Sequence, residues 1–433
     1  MSYERDFKDL PEEWEVKKIK EFVLEIIDNR GKTPPTSEEG IALIETVCIT
    51  DKNKKHPDFS KVRNYVSENT YNKWFRSGHP KENDILIAMV GENTGSVAVM
   101  NNSKGCIAQN LIALRLDENT YPEFSYYLLT SEYFQRQMFI VLMTAAQPSL
   151  KLPHLLNFIF PLPPLPEQQK IAEILETIDN AIEKTDKIIE KYKRIKQGLM
   201  QDLLTKGIDK NGNIRNEKTH KFKDSPLGRI PEEWEVVRLG EVGEIITGST
   251  PPTENSEYYG DEYLFISPED IQDKKYIENT TKKLTKLGMN IQRKISPMSI
   301  CVVCIGSTIG KIAITKYECS TNQQINTIIP NLKLYDPEAL YYFINFHIQS
   351  PLKIEAGLQA VPIVKKSAFS KILLPLPSLP EQQRIAAILS QIDETIEKEE
   401  QYKEKLERIK QGLMEDLLTG KVRVNHLVEE EEK

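Results

Sequence analysis

Residues 161–175 read PLPPLPEQQKIAEIL, and residues 375–389 read PLPSLPEQQRIAAIL. In both, a proline-rich joint runs into Pro-Glu-Gln-Gln at the head of an apolar, periodic segment. That is a helix start: proline at the first helical position gives up no hydrogen bond, and an acidic first turn suits the helix dipole. Working outward, RIKQGLMQDLL (194–204) returns as RIKQGLMEDLL (408–418), and LPEEWEV (10–16) returns as IPEEWEV (230–236). Between these anchors the likeness is faint. GKTPPT (31–36) answers GSTPPT (248–253), MVGENTGSVAV (89–99) answers CIGSTIGKIAI (304–314), and QNLIAL (109–114) loosely answers QQINTI (323–328). The period is far longer than a solenoid repeat, so the 433-residue chain is a duplicated two-part module. Each copy has a divergent front and a nearly identical helical back.

From Pro166 to Thr205 and from Pro380 to Thr419 no proline interrupts the pattern, and Gly207 and Gly420 stand where glycine commonly stops helices. Forty residues give rods of roughly 60 Å. Apolar residues recur at steps of three and four, through Ile171, Leu175, Ile178, Ile182, Ile189, Tyr192, Leu199 and Leu203, and again through Ile385, Leu389, Ile392, Ile396, Leu406, Leu413 and Leu417. This is a coiled-coil seam. It falters at Thr185, Glu399 and Lys403, which predicts a looser middle. Gly198 and Gly412 each cost about 1 kcal/mol against alanine inside a helix. Two readings stand for them: close helix–helix contact, or a partner protein approaching bare backbone. Two equal rods in one chain are expected to pair antiparallel, with a pseudo-two-fold relation between the copies and the fronts at opposite ends. The fold class is α+β, two mixed front domains on two long helices.

Composition is that of an ordinary globular chain, 39% hydrophobic and 28% charged. No apolar run approaches the roughly 20 residues that cross a bilayer, and the opening MSYERDFKDLPEEW lacks the apolar core of a signal peptide. Five cysteines, an odd number, suggest no disulfide framework and a reducing, cytoplasmic home. The net charge of -7 speaks to solubility and leaves room for local basic patches.

Catalytic motifs fail one by one. GSTIGKI (306–312) lacks the leading glycine and the Ser or Thr after lysine that a phosphate loop requires. Cys301 and Cys304 have the spacing of a redox or zinc pair, but they lie in a strand pattern where residues three apart face opposite ways, with no second pair to complete a metal site. The six histidines are scattered, and no nucleophile elbow or cofactor fingerprint occurs. No catalytic residue, metal site or bound cofactor is expected.

Nucleic-acid features are local. The first front carries Lys54, Lys55, Lys61, Arg63 and Arg76 with aromatics between them, and Lys32, Lys104 and Lys151 extend the set. The second carries Lys282, Lys283, Arg293, Lys311 and Lys365. Such cations set affinity and register on phosphates without reading sequence. Amides can bond adenine in a bidentate way, which nominates Gln109, Asn110 and Gln147 in the first copy and Asn322, Gln323 and Gln324 in the second. Loop tips add Thr33, Asn93 and Thr94, with Ser249, Thr250, Ser307 and Thr308 in the other copy.

The twin Pro-Glu-Gln-Gln joints, the RIKQGLM helix ends and the PEEWEV openings together resemble the DNA-specificity subunit of type I restriction–modification systems, over essentially the whole chain. The resemblance implies two target-recognition domains (1–162 and 230–376), two spacer helices (163–206 and 377–421), a linker (207–229) and an acidic tail (422–433). It implies that each front reads one half of a split double-stranded DNA target and that the helices set the gap. It also implies that two modification subunits dock on the shared regions, where Glu167, Gln168, Gln169 and Gly198 have counterparts in Glu381, Gln382, Gln383 and Gly412. S-adenosylmethionine, ATP and magnesium would belong to the modification and restriction subunits, in a prokaryotic cytoplasm. Two rivals are an enzyme with an unrecognised site and a coiled-coil scaffold that binds proteins without DNA.

Overall fold

Both segments that open on Pro-Glu-Gln-Gln fold as a single 39-residue α-helix, α1 (Leu165–Leu203) and α2 (Leu379–Leu417), in a computed structural model. The structure describes residues 10–51, 54–143, 149–272, 274–357 and 362–431, with side chains placed as far as 428. The chain divides into two units: unit one is 1–187 with 400–433, and unit two is 188–399.

Within each unit the head of one long helix packs against the tail of the other. In unit one Asp179 pairs with Lys410 at 2.6 Å and Asp186 with Lys403 at 2.7 Å, so numbering rises on one helix as it falls on the other. In unit two Lys196 pairs with Asp393 at 2.6 Å. The pairing is antiparallel in both. Polar seam positions are satisfied rather than slipped: Thr185 is buried and donates to the Ala181 carbonyl at 2.9 Å, and Lys403 reaches Asp186. The close contact that was one reading of Gly198 and Gly412 is absent. Both are exposed, and a methyl group added at either would meet nothing within 4 Å.

The two fronts share one topology despite their divergence. In unit one β1 (Val23–Ile27), β2 (Ile85–Ala88), β3 (Val97–Val99) and β4 (Leu111–Leu116) form a sheet in the order β1-β4-β2-β3. In unit two β5 (Gly243–Thr247), β6 (Ile300–Val303), β7 (Ile312–Thr315) and β8 (Ile325–Pro330) repeat it as β5-β8-β6-β7, with Tyr276–Ile277 added beyond β7. A second, three-stranded sheet accompanies each: Ile41–Ile44 between Asn64–Val66 and Gly105–Ile107, and Tyr259–Ile266 between Lys282–Leu284 and Cys319–Thr321.

Central strands are apolar on both faces because each face meets a different core. Ile85 and Ile87 join Phe124, Tyr127 and Ile171 on the helical side, whereas Leu86 and Ala88 join Ile44 and Ile107 of the second sheet. In β6, Ile300 and Val302 face helices while Cys301 and Val303 face the second sheet. Cys301 and Cys304 accordingly sit in different cores, and burial pushes their thiols up to about 12 and about 11. In each front a pair of short helices follows the last strand of the larger sheet, Pro122–Thr130 with Glu132–Met143, and Pro337–His347 with Gln349–Ala356. Ser131 turns to extended backbone and bonds the Leu128 carbonyl with its hydroxyl, which divides the first pair.

The stretch 207–229 is packed rather than free. Phe222–Ser225 pairs with Gly228–Pro231 in a hairpin, and Arg215 is 5% exposed. The final segment is not merely an acidic tail: Val424 is buried against the core containing Trp14, and Asn425–Glu431 is helical.

Candidate nucleic-acid interface

Strand register decides which loops meet. In unit one β1 ends with Ile27 opposite Ala113, β2 ends with Ala88 opposite Leu111, and β3 begins with Val97 opposite Ile87. The loop after β1, the turn between β2 and β3, and the approach to β4 therefore share one end of the sheet. Two further segments are tied there: the Ser77 amide donates to Asn29 Oδ1 at 3.0 Å, and the Leu150 amide to the Met89 carbonyl at 2.9 Å. Lys32, Thr33, Arg76, Asn93, Thr94, Gln109, Asn110 and Lys151 are thereby gathered on one edge.

Unit two repeats the arrangement with different residues. Thr247 lies opposite Asn326, Val303 opposite Ile325, and Ile312 opposite Val302. Arg293 donates to the Thr247 carbonyl at 2.5 Å, and Ser249 to Gln292 Oε1 at 2.7 Å. The Val364 amide donates to the Cys304 carbonyl at 2.8 Å. Ser249, Thr250, Arg293, Ser307, Thr308, Lys311, Gln323, Gln324 and Lys365 come together as a result. Lys32, Arg76, Lys151, Arg293, Lys311 and Lys365 are all exposed, and none pairs with a described carboxylate. Each cluster is thus a polar rim carrying cations with no ion-pair partner among the described residues, suited to phosphate oxygens.

The glycine turns belong to these rims. Gly91, Gly95, Gly306 and Gly310 have φ of +99°, +87°, +101° and +90°, which β-carbon-bearing residues rarely adopt. Gly95 also packs directly under Met138, and Gly310 under Gln349 at 2.8 Å from a methyl's position, so the helix behind supports the turn. Gln109 is itself left-handed, at φ +55°, a conformation costing roughly 1–3 kcal/mol for a residue other than glycine.

Several nominated residues lie elsewhere. Lys55 borders Val99, which faces Ile85 at the far end of the sheet; its ammonium sits 2.6 Å from Glu176 of α1 and 4.0 Å from Glu123. Lys275 occupies the same place in unit two, bonding Glu338 at 3.0 Å and Ser390 at 2.8 Å. Lys54 and Lys61 are drawn to Asp58, at 2.7 and 3.9 Å. Lys104 pairs with Glu68 at 3.6 Å and lies over the Tyr71 ring. Arg63, Lys282 and Lys283 border or lie on strands of the smaller sheets. Asn322 is 8% exposed and bonded to Gln324 at 3.0 Å, so it shapes its loop. Gln147 lies outside the described residues.

The Pro-Glu-Gln-Gln motif turns inward. Glu167 is 3% exposed, accepts from Trp14 Nε1 at 3.1 Å, and holds the Arg423 guanidinium at 2.7 and 2.9 Å, while Glu13 pairs with the same arginine at 2.6 Å. Glu381 does the same with Trp234 at 3.3 Å and Arg215 at 3.1 Å, and also accepts from the Ile208 amide at 3.0 Å. The next residue, Gln168 or Gln382, accepts from the Tyr121 or Asp336 amide at 2.8 or 3.0 Å and is buried. Of the eight residues nominated for docking, Gln169, Gln383, Gly198 and Gly412 are the exposed ones. The recurrence of Trp14 and Trp234 beside the motif was a signal for this clamp. Arg215 and Arg423 carried none, because they stand at different distances beyond their helices.

Among the described residues no helix is long and apolar enough to cross a membrane, and no group of three or more His, Cys, Asp or Glu side chains is arranged to hold a metal. The family model for the type I restriction modification DNA specificity domain matches residues 11–193 and 231–408. The chain is 28% identical over 449 residues to the type I restriction enzyme MjaVIII specificity subunit of Methanocaldococcus jannaschii, covering 98% of this chain and 97% of that one. Two solved structures share the fold. One, from a study of complex assembly and conformational transition of the type I R-M system, has TM-score 0.57 at 19% identity, covering 96% of this chain and 100% of the other. The second, the S subunit of a type I restriction–modification system from M. genitalium, has TM-score 0.58 at 14% identity, covering 95% and 97%.

Proposed function

Since the chain belongs to the type I restriction–modification DNA specificity family, we propose that each unit reads one half of a split double-stranded DNA target through its loop cluster. The observation that carries this reading is the repetition of one loop arrangement, at the same sheet edge in both units, with different side chains in it. Equal scaffolds with unequal rims suit two different half-sites. The long helices set the gap between the halves. Two modification subunits dock where Gly198 and Gly412 leave backbone bare and on the exposed Gln169 and Gln383. They supply S-adenosylmethionine binding and adenine methylation, and restriction subunits with ATP and magnesium join for cleavage. This chain positions DNA and does no chemistry itself, in a prokaryotic cytoplasm.

The test is to map methylated adenines in a host expressing the chain with its neighbouring modification subunit, against a host lacking the chain. A split motif with an unspecified gap is the expected result, and a continuous short motif would overturn the two-reader arrangement. A protein-binding scaffold would direct no methylation and show no salt-dependent DNA affinity.

The two lysine environments give a sharper check. Replacing Lys32, Arg76 and Lys151 together with alanine is expected to flatten the log–log salt dependence of DNA binding by about 2–3, since each phosphate contact contributes about 0.9. Lys55→Ala is expected to leave that slope unchanged while costing about 1 kcal/mol of stability, because its charge is engaged with Glu176. Salt titrations of binding, with thermal melts alongside, separate the two. An altered slope for Lys55→Ala would return it to the interface.

A further inference from the structure

We propose that Gln109 and Gln323 are the base-reading residues of the two clusters, each amide held by the threonine of a Thr-Pro-Pro-Thr loop so that it meets an adenine edge in the major groove. This rests on the DNA-reading function proposed above. It goes further in naming one residue and one base for each half.

In unit two the structure separates the candidate amides. Asn322 is buried and spent on Gln324, and Gln324 turns inward toward the Ile305 carbonyl at 3.4 Å. Gln109 and Gln323 are exposed, precede β4 and β8 at equivalent places, and each makes one described side-chain hydrogen bond. Gln109 Nε2 donates to Thr33 Oγ1, and Thr250 Oγ1 donates to Gln323 Oε1 at 2.6 Å. The same pairing of loops therefore recurs in two fronts that have otherwise diverged. Each threonine is followed by two prolines, Pro34–Pro35 and Pro251–Pro252, whose rings fix φ and stiffen the support.

The chemistry left free on each amide is specific. With one N–H given to Thr33, Gln109 retains a second N–H and its carbonyl oxygen. With one lone pair taken by Thr250, Gln323 retains both N–H groups and a second lone pair. A donor beside an acceptor matches the N7 and N6 groups of adenine; guanine shows two acceptors, which an amide cannot match in a bidentate way. An amide already held in place loses less conformational freedom when DNA arrives.

Adenine-methylation mapping of the complete chain with its modification subunits tests this. Gln109→Ala is expected to lower discrimination about 10- to 100-fold at one A·T pair of one half and to leave the other half untouched. Gln323→Ala should do the same in the other half. Gln109→Glu is expected to move preference at that pair from adenine to cytosine, because a carboxylate accepts from cytosine N4; misfolding does not produce a new preferred base. Thr33→Val, which keeps the amide, should weaken discrimination at the same pair and nowhere else. If the wild type directs a split motif and the glutamine variants leave every position of it unchanged, or weaken both halves alike, the assignment is wrong. If the wild type directs no split motif, the underlying DNA-reading function fails first and the assignment goes with it.

Discussion

Glu381→Ala is expected to destabilise unit two by about 3–5 kcal/mol, the cost of removing one partner of a buried ion pair. The carboxylate accepts from the Ile208 amide, Trp234 Nε1 and the Arg215 guanidinium, and both charged side chains are nearly inaccessible, at 5% and 6%. Removing it leaves an indole N–H and a backbone N–H without an acceptor, each of which resists burial unpaired, and leaves buried Arg215 with only the exposed Glu233 and the Lys206 carbonyl. Gly207, at φ +64°, lies so close that any β-carbon would overlap Glu381 Oε1 and come within 2.8 Å of Arg215, so the site has no slack. Denaturant unfolding of the full chain measures the effect. Gln383→Ala, two residues away and exposed, serves as the control and should stay within about 0.5 kcal/mol of wild type. Equal behaviour of the two variants would show that the clamp contributes nothing. Glu167→Ala should reproduce the loss in unit one, where Trp14 Nε1 and the Val424 amide would lose their acceptor and Arg423 would keep only the exposed Glu13.

Gly248→Ala is expected to abolish reading of one half-site while sparing the other. The added carbon would overlap the backbone carbonyls of Thr321 and Asn322, which cannot rotate away as a side chain can. The loop carrying Ser249 and Thr250 is pinned there by the Gly248 amide to Ile325 and the Ser249 amide to Thr321, at 3.2 and 3.0 Å. Overpacking of this kind costs about 1–3 kcal/mol, and the strain is relieved by lifting the loop off Gln323. Methylation mapping should then show one half of the motif intact and the other lost. Retention of both halves would mean the loop does not touch DNA. Gly31, the matching glycine of the first copy, has open space around it and φ +108°. Alanine there meets a backbone penalty without a clash, so the two equivalent substitutions differ in mechanism.

That contrast marks how far the sequence carries. The duplication, both long helices and their stops at Gly207 and Gly420 are legible because they rest on local repetition, spacing and terminal residue types. The opposed faces of Cys301 and Cys304 follow from strand alternation alone. The loop clusters were half legible: Gln109 and Gln323 were nominated by residue type, but nothing along the chain said that they meet Thr33 and Thr250, across more than seventy positions in each copy. The Glu176 partner of Lys55 was not legible, since a lysine in a basic, aromatic-bearing stretch looks the same whether it meets phosphate or a carboxylate.

By itself, then, the sequence determined two copies, two continuous helices with apolar seams, and the family to which the motifs point. Tertiary structure alone decided that Glu167 and Glu381 are internal clamps, that Arg215 and Arg423 converge on them from unequal positions, that Gly198 and Gly412 stay bare, and which cations share an edge. The reason is physical. Helix periodicity and chain stops are properties of neighbours within a few residues, whereas a buried carboxylate finds its guanidinium only when segments far apart in the chain pack against one another.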